Sequence, residues 1–153
     1  AERERIGAHL ATFTEEFRSL GIQLGARYDG SGLIAHDGSE APADSPFEYV
    51  PSAVPGGRAP HVWLGPNDAL FDRCSLNFTL LRLSEIPPDV SALTDAAVAR
   101  KIPHAVVDIA SQDVRDAYGV DLVLLRPDHH IAWRGNAAPD TPDRLWAQVT
   151  GDS

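Results

Sequence analysis

Apolar positions follow three different rhythms along the chain. Ile6, Leu10, Phe13, Phe17 and Leu20 recur at steps of four, three, four and three, the spacing of one face of an α-helix. Gly21 follows where a left-handed cap commonly ends such a helix. Nothing close behind in sequence is apolar enough to bury this stripe, so it is expected to lie on a body outside the chain or on the chain's far end. From roughly Ile22 to Pro66 the rhythm breaks down. Ile22, Leu24, Ala26 and Tyr28 alternate like a short strand, Leu33-Ile34 reads as another, and Asp29-Gly30 and Asp37-Gly38 are turn dipeptides. Beyond them Pro42, Pro46, Pro51, Pro55 and Pro60, with Gly56-Gly57, come too often for a helix or a central strand. A loop this long is unusual inside a compact domain, and it reads as a strap lying across a larger body.

From Leu76 onward regular elements alternate. Phe78–Leu83 is a near-continuous apolar run suited to a buried strand. Pro87-Pro88 break the chain before a helix over Val90–Arg100, capped by Asp89 or Ser91. His104–Ile109 is a second strand, and Ser111 caps a short helix that Gly119 stops after Tyr118. Leu122–Leu125 and Ile131–Arg134 form a hairpin across Pro127-Asp128-His129. Thr141-Pro142 then opens a last helix that carries Leu145, Trp146 and Val149 inward. The order β-α-β-α-β-β-α is that of an α/β, thioredoxin-like core, here with an N-terminal helix and a long strap-like extension. The expected division is 1–66 for helix and strap and 67–153 for the core.

Charge narrows the partners. Asp and Glu number 22 against 13 Lys and Arg, a net charge of −9, and the pI is near 4.9. An acidic chain is a poor ligand for nucleic acid or an anionic membrane surface, and no apolar run reaches the roughly 18 residues of a membrane helix. One cysteine, Cys74, excludes an internal disulfide, a CxxC pair and a Cys-rich zinc site, and suits a cytoplasmic setting. The chain begins at Ala1 and contains no Met, as expected of a processed or excised domain.

Several chemistries can be weighed on residues. A thioredoxin needs two cysteines on the turn after the first core strand. That turn here reads Ser84-Glu85-Ile86-Pro87, the place of the proline before the third strand is taken by Val120-Asp121, and Cys74 precedes the first strand, so a redox role fails. Gly30-Ser31-Gly32-Leu33-Ile34-Ala35 spells a dinucleotide fingerprint, but turn residues and prolines follow it rather than a helix to receive phosphate. His9, His36, His61, His104, His129 and His130 have no metal-ligand spacing, and the adjacent His129-His130 are expected to project to opposite sides of their hairpin. His61 with Asp68 or Asp72 is the one acid-base pairing that proximity offers. Arg58-Ala59-Pro60-His61-Val62-Trp63-Leu64 puts a cation, an imidazole and an indole into a segment expected to be irregular. Either Trp63 and Leu64 anchor the strap while Arg58 and His61 are solvated, or the segment is an edge offered to a neighbouring domain.

Three stretches, Gly21–Ile34, Tyr49–Leu64 and Leu124–Gly135, taken together and in this order, resemble the C-terminal region of FAD-dependent aromatic hydroxylases: phenol and chlorophenol monooxygenases, hydroxyphenylpropionate hydroxylases and polyketide-tailoring relatives. Departures fall at turn positions: the family often has glycines where Ser75 and Asn77 stand, and usually Gly or Gln where His129 stands. The resemblance implies a parent in which an FAD and substrate domain comes first and a redox-inactive thioredoxin-like domain ends the chain. It implies hydroxylation of a phenolic ring with NAD(P)H and O₂ by that parent. Within these 153 residues it implies no catalytic, cofactor-binding or metal residue. What it does imply is an inter-domain interface of Arg58, His61, Trp63, Tyr28, Phe13 and Phe17, with the flavin domain of the same parent chain as partner and homo-oligomerisation as an option. The other reading of the same residues is a stand-alone thioredoxin-like module that binds a partner protein without catalysis.

Overall fold

Four strands from the second half of the chain build one sheet in the order β4-β3-β5-β6. The computed structural model describes residues 2–7, 9 and 19–152. Along the chain the elements are α1 (Leu20–Leu24), β1 (Trp63–Gly65), β2 (Asp68–Ala69), a 3₁₀ turn (Leu70–Arg73), β3 (Phe78–Arg82), α2 (Ser91–Ala99), β4 (His104–Asp108), α3 (Gln112–Tyr118), β5 (Leu122–Leu125), β6 (Ile131–Gly135) and α4 (Pro142–Thr150). β3 and β4 run parallel with Leu80 opposite Val106, whereas β5 is antiparallel to both β3 and β6. The result is an α/β fold on a mixed sheet flanked by helices, with strands and helices from 78 to 150 in the order the sequence predicts.

Local signals account for the helix ends. The Ser111 hydroxyl accepts the Val114 N–H at 3.5 Å, and Gly119 closes α3 in the left-handed region at φ 70°. Pro142 opens α4, and Gly151 ends it at φ 80°. Before α2 it is the Asp89 carboxylate that accepts the Ser91 N–H, at 2.9 Å.

Each face of the sheet is covered differently. On one, Leu80, Leu122, Leu124 and Ala132 lie under Leu93, Ala96 and Ala97 of α2 and Leu145, Trp146 and Val149 of α4. The Trp146 indole N–H donates to the Leu93 carbonyl at 2.8 Å, so this large buried ring leaves no polar atom unpaired. On the other face, Leu81, Leu83, Val123, Leu125 and Ile131 meet Val114 and Tyr118 of α3, Leu70, and Ala53 and Ala59 of the strap.

The strap is stitched to β6. Ala35 N–H donates to Ala132 O, Gly56 N–H to Ile131 O, Ile131 N–H to Gly57 O and Ala59 N–H to His129 O, all at 2.8–2.9 Å. Ile34, only 1% exposed, is held by the Gln148 side chain, which donates to its carbonyl at 2.9 Å. A bidentate-capable guanidinium adds a further tie, Arg134 Nε to Asp37 Oδ2 at 2.6 Å.

Some expectations fail here. Ile22–Tyr28 is not a strand: its first residues belong to α1, where the Gln23 N–H bonds Ser19 O and the Gly25 N–H bonds Gly21 O. Gly21 is required there, because a Cβ would stand 1.7 Å from the Ser45 carbonyl oxygen. Leu33-Ile34 forms a turn rather than a strand, with Ile34 N–H bonded back to Ser31 O. Trp63-Leu64, expected to be irregular, lies in β1, which pairs antiparallel with β2 across Pro66-Asn67. Of the expected N-terminal stripe, Ile6 and Leu20 are described and about half exposed, 49% and 55%, while Leu10, Phe13 and Phe17 lie outside the described residues.

Candidate functional site

The β5–β6 hairpin turn carries two adjacent histidines, and a separate set of partners meets each. His129 sits in the left-handed region at φ 61°. Its ring stacks on Phe71, with centroids 4.5 Å apart and planes 14° off parallel. The Arg58 guanidinium lies 5.2 Å from the centre of the same Phe71 ring. His61 meets Phe71 at 5.5 Å and stands edge-on to Trp63 at 5.1 Å. Burial, together with the nearby Arg58 charge, lowers the His129 pKa below its ordinary value.

His130 belongs to the second set. Tyr28 meets it edge-on at 4.8 Å, and Arg126 lies 4.8 Å over the Tyr28 ring. The Tyr28 hydroxyl donates to Asp128 Oδ2 at 3.1 Å, a bond that raises the phenol's pKa. Asp128 also accepts from Arg126 Nε and Nη2 at 3.2 Å each. Burial alone would raise its pKa, but the Arg126 bonds, the His130 N–H and the nearby charges together outweigh that and lower it. The two histidines thus have different neighbours, Phe71 for His129 and Tyr28 for His130.

Of the sequence-derived interface, Arg58, His61 and Trp63 therefore come together, and Tyr28 joins the other cluster. Trp63 does not anchor the strap on the core, since 64% of it is exposed. Leu64, with Val62, does pack against the core, and the Tyr118 hydroxyl adds a bond to the Pro60 carbonyl at 2.8 Å. Phe71 and Arg126 escaped the sequence reading, which met Asp128 and His129 only as hairpin-turn residues and His129 as one of six histidines without metal-ligand spacing. Phe71 and His129 are far apart in sequence, and only the turn signal at Pro127-Asp128 pointed near them.

The arrangement suits binding better than proton transfer. His61 has its aromatic neighbours, while Asp68 is held by Arg73 at 2.9 and 2.6 Å and Asp72 accepts the Ala69 N–H at 3.3 Å. Cys74, half-buried, has its thiol pushed up to about 11 by burial, which removes nucleophilic thiolate at neutral pH. Among the described residues no group of three His, Cys, Asp or Glu side chains could hold a metal ion. No helix among them is long and apolar enough to cross a membrane.

A dinucleotide does not fit the described residues. Gly30 and Gly32 lie in turns, and residues 33–62 that follow contain no helix to present its N-terminus. A cleft of about 460 Å³ opens between α1 and the strap, lined by two cations: Arg27 is taken by Asp29 at 3.1 Å and Asp44 at 2.6 Å, and the Arg58 guanidinium lies 5.2 Å from the centre of the Phe71 ring. Glu48 adds a further negative charge to the lining, the wrong sign for a pyrophosphate.

Residues 52–152 match the family model of the aromatic-ring hydroxylase C-terminal region, and the chain belongs to that family. It is 28% identical to the FAD-dependent monooxygenase opdD of Penicillium oxalicum over 97% of this chain and 30% of that protein. To the phenol 2-monooxygenase of a Pseudomonas species it is 31% identical over 92% of this chain and 26% of the other. Among solved structures, the rebeccamycin biosynthetic enzyme RebC with reduced flavin superposes with a TM-score of 0.79 at 32% identity, over 99% of this chain and 29% of RebC. The flavin-dependent monooxygenase PieE gives 0.76 at 28% identity, over 99% and 29%. The chain thus spans under a third of the length of these relatives, and corresponds to the C-terminal region of FAD-dependent aromatic monooxygenases.

Proposed function

We propose that this chain is the redox-inactive, thioredoxin-like closing domain of an FAD-dependent monooxygenase that hydroxylates a phenolic ring with NAD(P)H and O₂. The thioredoxin-like reading rests on the element order from β3 to α4 and on the sheet order β4-β3-β5-β6. Redox inactivity rests on the turn after β3, where Ser84 bonds its hydroxyl to the Ile86 carbonyl and no thiol is present. FAD and NAD(P)H are held by the parent's preceding domain in this reading, and this chain shapes and covers that domain without touching the reacting atoms. Residues 1–66 act as the tie and 67–153 as the body it is tied to, in the cytoplasm.

The observation that carries the role is the exposed aromatic edge. Trp63 stands 64% exposed on an ordered two-strand ribbon, beside His61 and the Arg58–Phe71 pair. A large indole fixed in place and left in water is the composition of an interface core. Arg58, His61 and Trp63, with Phe13 and Phe17 of the N-terminal stripe, are the surface we assign to the flavin domain. Tyr28 supports it by fixing the hairpin from behind.

The test is the protein produced from its complete source gene. A species several times 16.5 kDa with bound flavin, whose flavin retention or hydroxylation coupling drops on Trp63→Ala, supports the reading. A colourless product of 16.5 kDa from a short reading frame overturns it and leaves a protein-binding module.

A further inference from the structure

The half-buried arginines of this chain are held by carboxylates, with one exception. Arg27, Arg82, Arg115, Arg126 and Arg134, each a third exposed or less at the side chain, hold a carboxylate at 2.6–3.2 Å. Arg58 is half-buried as well, yet no carboxylate among the described residues pairs with it. Its guanidinium lies 5.2 Å from the centre of the Phe71 ring instead. Glu48 lines the same cleft as Arg58 without pairing with it, and the other two acids there, Asp29 and Asp44, hold Arg27. In a chain with 22 Asp and Glu, an arginine placed clear of them all requires a cause.

The place of Arg58 is fixed by backbone on both sides. It bridges antiparallel to His130, Ile131 N–H donates to Gly57 O, and Ala59 N–H donates to His129 O, both at 2.9 Å. The ring beside the guanidinium is held in turn. Phe71 stacks on His129 and meets His61, which stands edge-on to the exposed Trp63. A body that covers Trp63 therefore takes water from this cluster and from Arg58 with it. A guanidinium stripped of water and left unpaired is strongly unfavourable. Its planar fork matches a carboxylate through two parallel bonds.

We propose, resting on the flavin-domain reading, that Arg58 receives an Asp or Glu side chain of the domain that covers the Trp63 edge, in an ion pair that sets how the two domains dock. Charge selects this occupant, since Arg58 is the one half-buried arginine among the described residues without a counter-ion. Burial and the Arg58 charge keep the His129 ring neutral at pH 7, so of these two neighbours it is Arg58 that carries the charge. Trp63 supplies contact area and Arg58 supplies register, the division of labour of aromatic and arginine anchors at interfaces.

The test uses the protein from its complete source gene. Lys101 is the only lysine in these 153 residues, so Arg58→Lys adds one readily traced amine. With a zero-length carbodiimide, that variant is expected to form an amide between position 58 and one Asp or Glu outside residues 1–153, located by peptide mass spectrometry. Arg58→Gln is expected to make amide hydrogen exchange at Trp63–Gly65 about tenfold faster. In the unaltered protein that exchange is expected to quicken with salt, and in Arg58→Gln to be insensitive to it. An amide formed only within residues 1–153, no amide at all, or exchange unaltered in Arg58→Gln overturns the ion pair and leaves the flavin-domain reading in place. A source gene that encodes no flavin domain overturns both.

Discussion

Tyr118, at the end of α3, donates its buried hydroxyl to the carbonyl of Pro60, 58 residues earlier in the chain. The phenol is 1% exposed, and its burial holds the pKa far above the ordinary value, so it is a donor throughout the neutral range. This bond fixes the end of the strap just before the exposed Trp63 ribbon. Tyr118→Phe leaves the buried Pro60 carbonyl without its donor, which typically costs about 1–3 kcal/mol. Urea unfolding is expected to show that loss, with faster proteolysis in the strap. An unchanged midpoint would show that water replaces the hydroxyl.

Asp37 and Arg134 tie the strap to β6 in a pH-dependent way. Burial alone would raise the Asp37 pKa, but bonds from Ser39 and Arg134 outweigh it and bring the carboxyl from 3.8 to about 2. A carboxyl lowered on folding stabilises the fold fully above its unfolded value, and that stability is lost as pH falls through the folded value. The contribution is therefore present at neutral pH and disappears between about pH 4 and pH 2. Asp37→Asn is expected to lower stability at pH 7 and to flatten the acid unfolding profile in that window. A variant with the wild-type slope would show that other carboxylates dominate.

His129 combines a left-handed backbone at φ 61° with a stacked ring. Replacement by alanine keeps the backbone cost and removes the stack, whereas glycine removes both. His129→Ala is thus expected to be less stable than His129→Gly by about 1 kcal/mol. Chemical denaturation of the pair checks the ordering.

The Cys74 thiol, with its pKa pushed up to about 11 by burial, is expected to resist a disulfide reagent at pH 8 in the folded chain. It should react at the rate of a free thiol once unfolded. Rapid reaction in the native state would mean that the segment before β3 opens.

Legibility tracked locality. From Phe78 to Thr150 each element is announced by its own residues: an apolar run, a capping Ser111, a stopping Gly119, a Pro142 at the first turn. The errors fall where a distant contact decides. Ile22, Leu24 and Ala26 alternate as a strand would, yet the chain turns helical where Gly21 seats against Ser45 O. The β1–β2 ribbon had a visible signal in Gly65-Pro66-Asn67, with Asn67 at φ 59°, which the surrounding prolines masked. The stack of Phe71 on His129 joins two segments with no shared pattern, so only the fold could reveal it.

The order of synthesis gives the strap's composition a second meaning. Its ties reach forward by about a hundred residues: Asp37 to Arg134 spans 97, Tyr28 to Asp128 spans 100 and Ile34 to Gln148 spans 114. During translation these residues leave the ribosome long before the strand and helix that receive them, and must wait unpaired. A waiting segment rich in alternating apolar residues would be an aggregation hazard. Pro42, Pro46, Pro51, Pro55 and Pro60 deny it a continuous hydrogen-bonding edge. The segment that closes the sheet last is thus built to remain inert until there is a sheet to close.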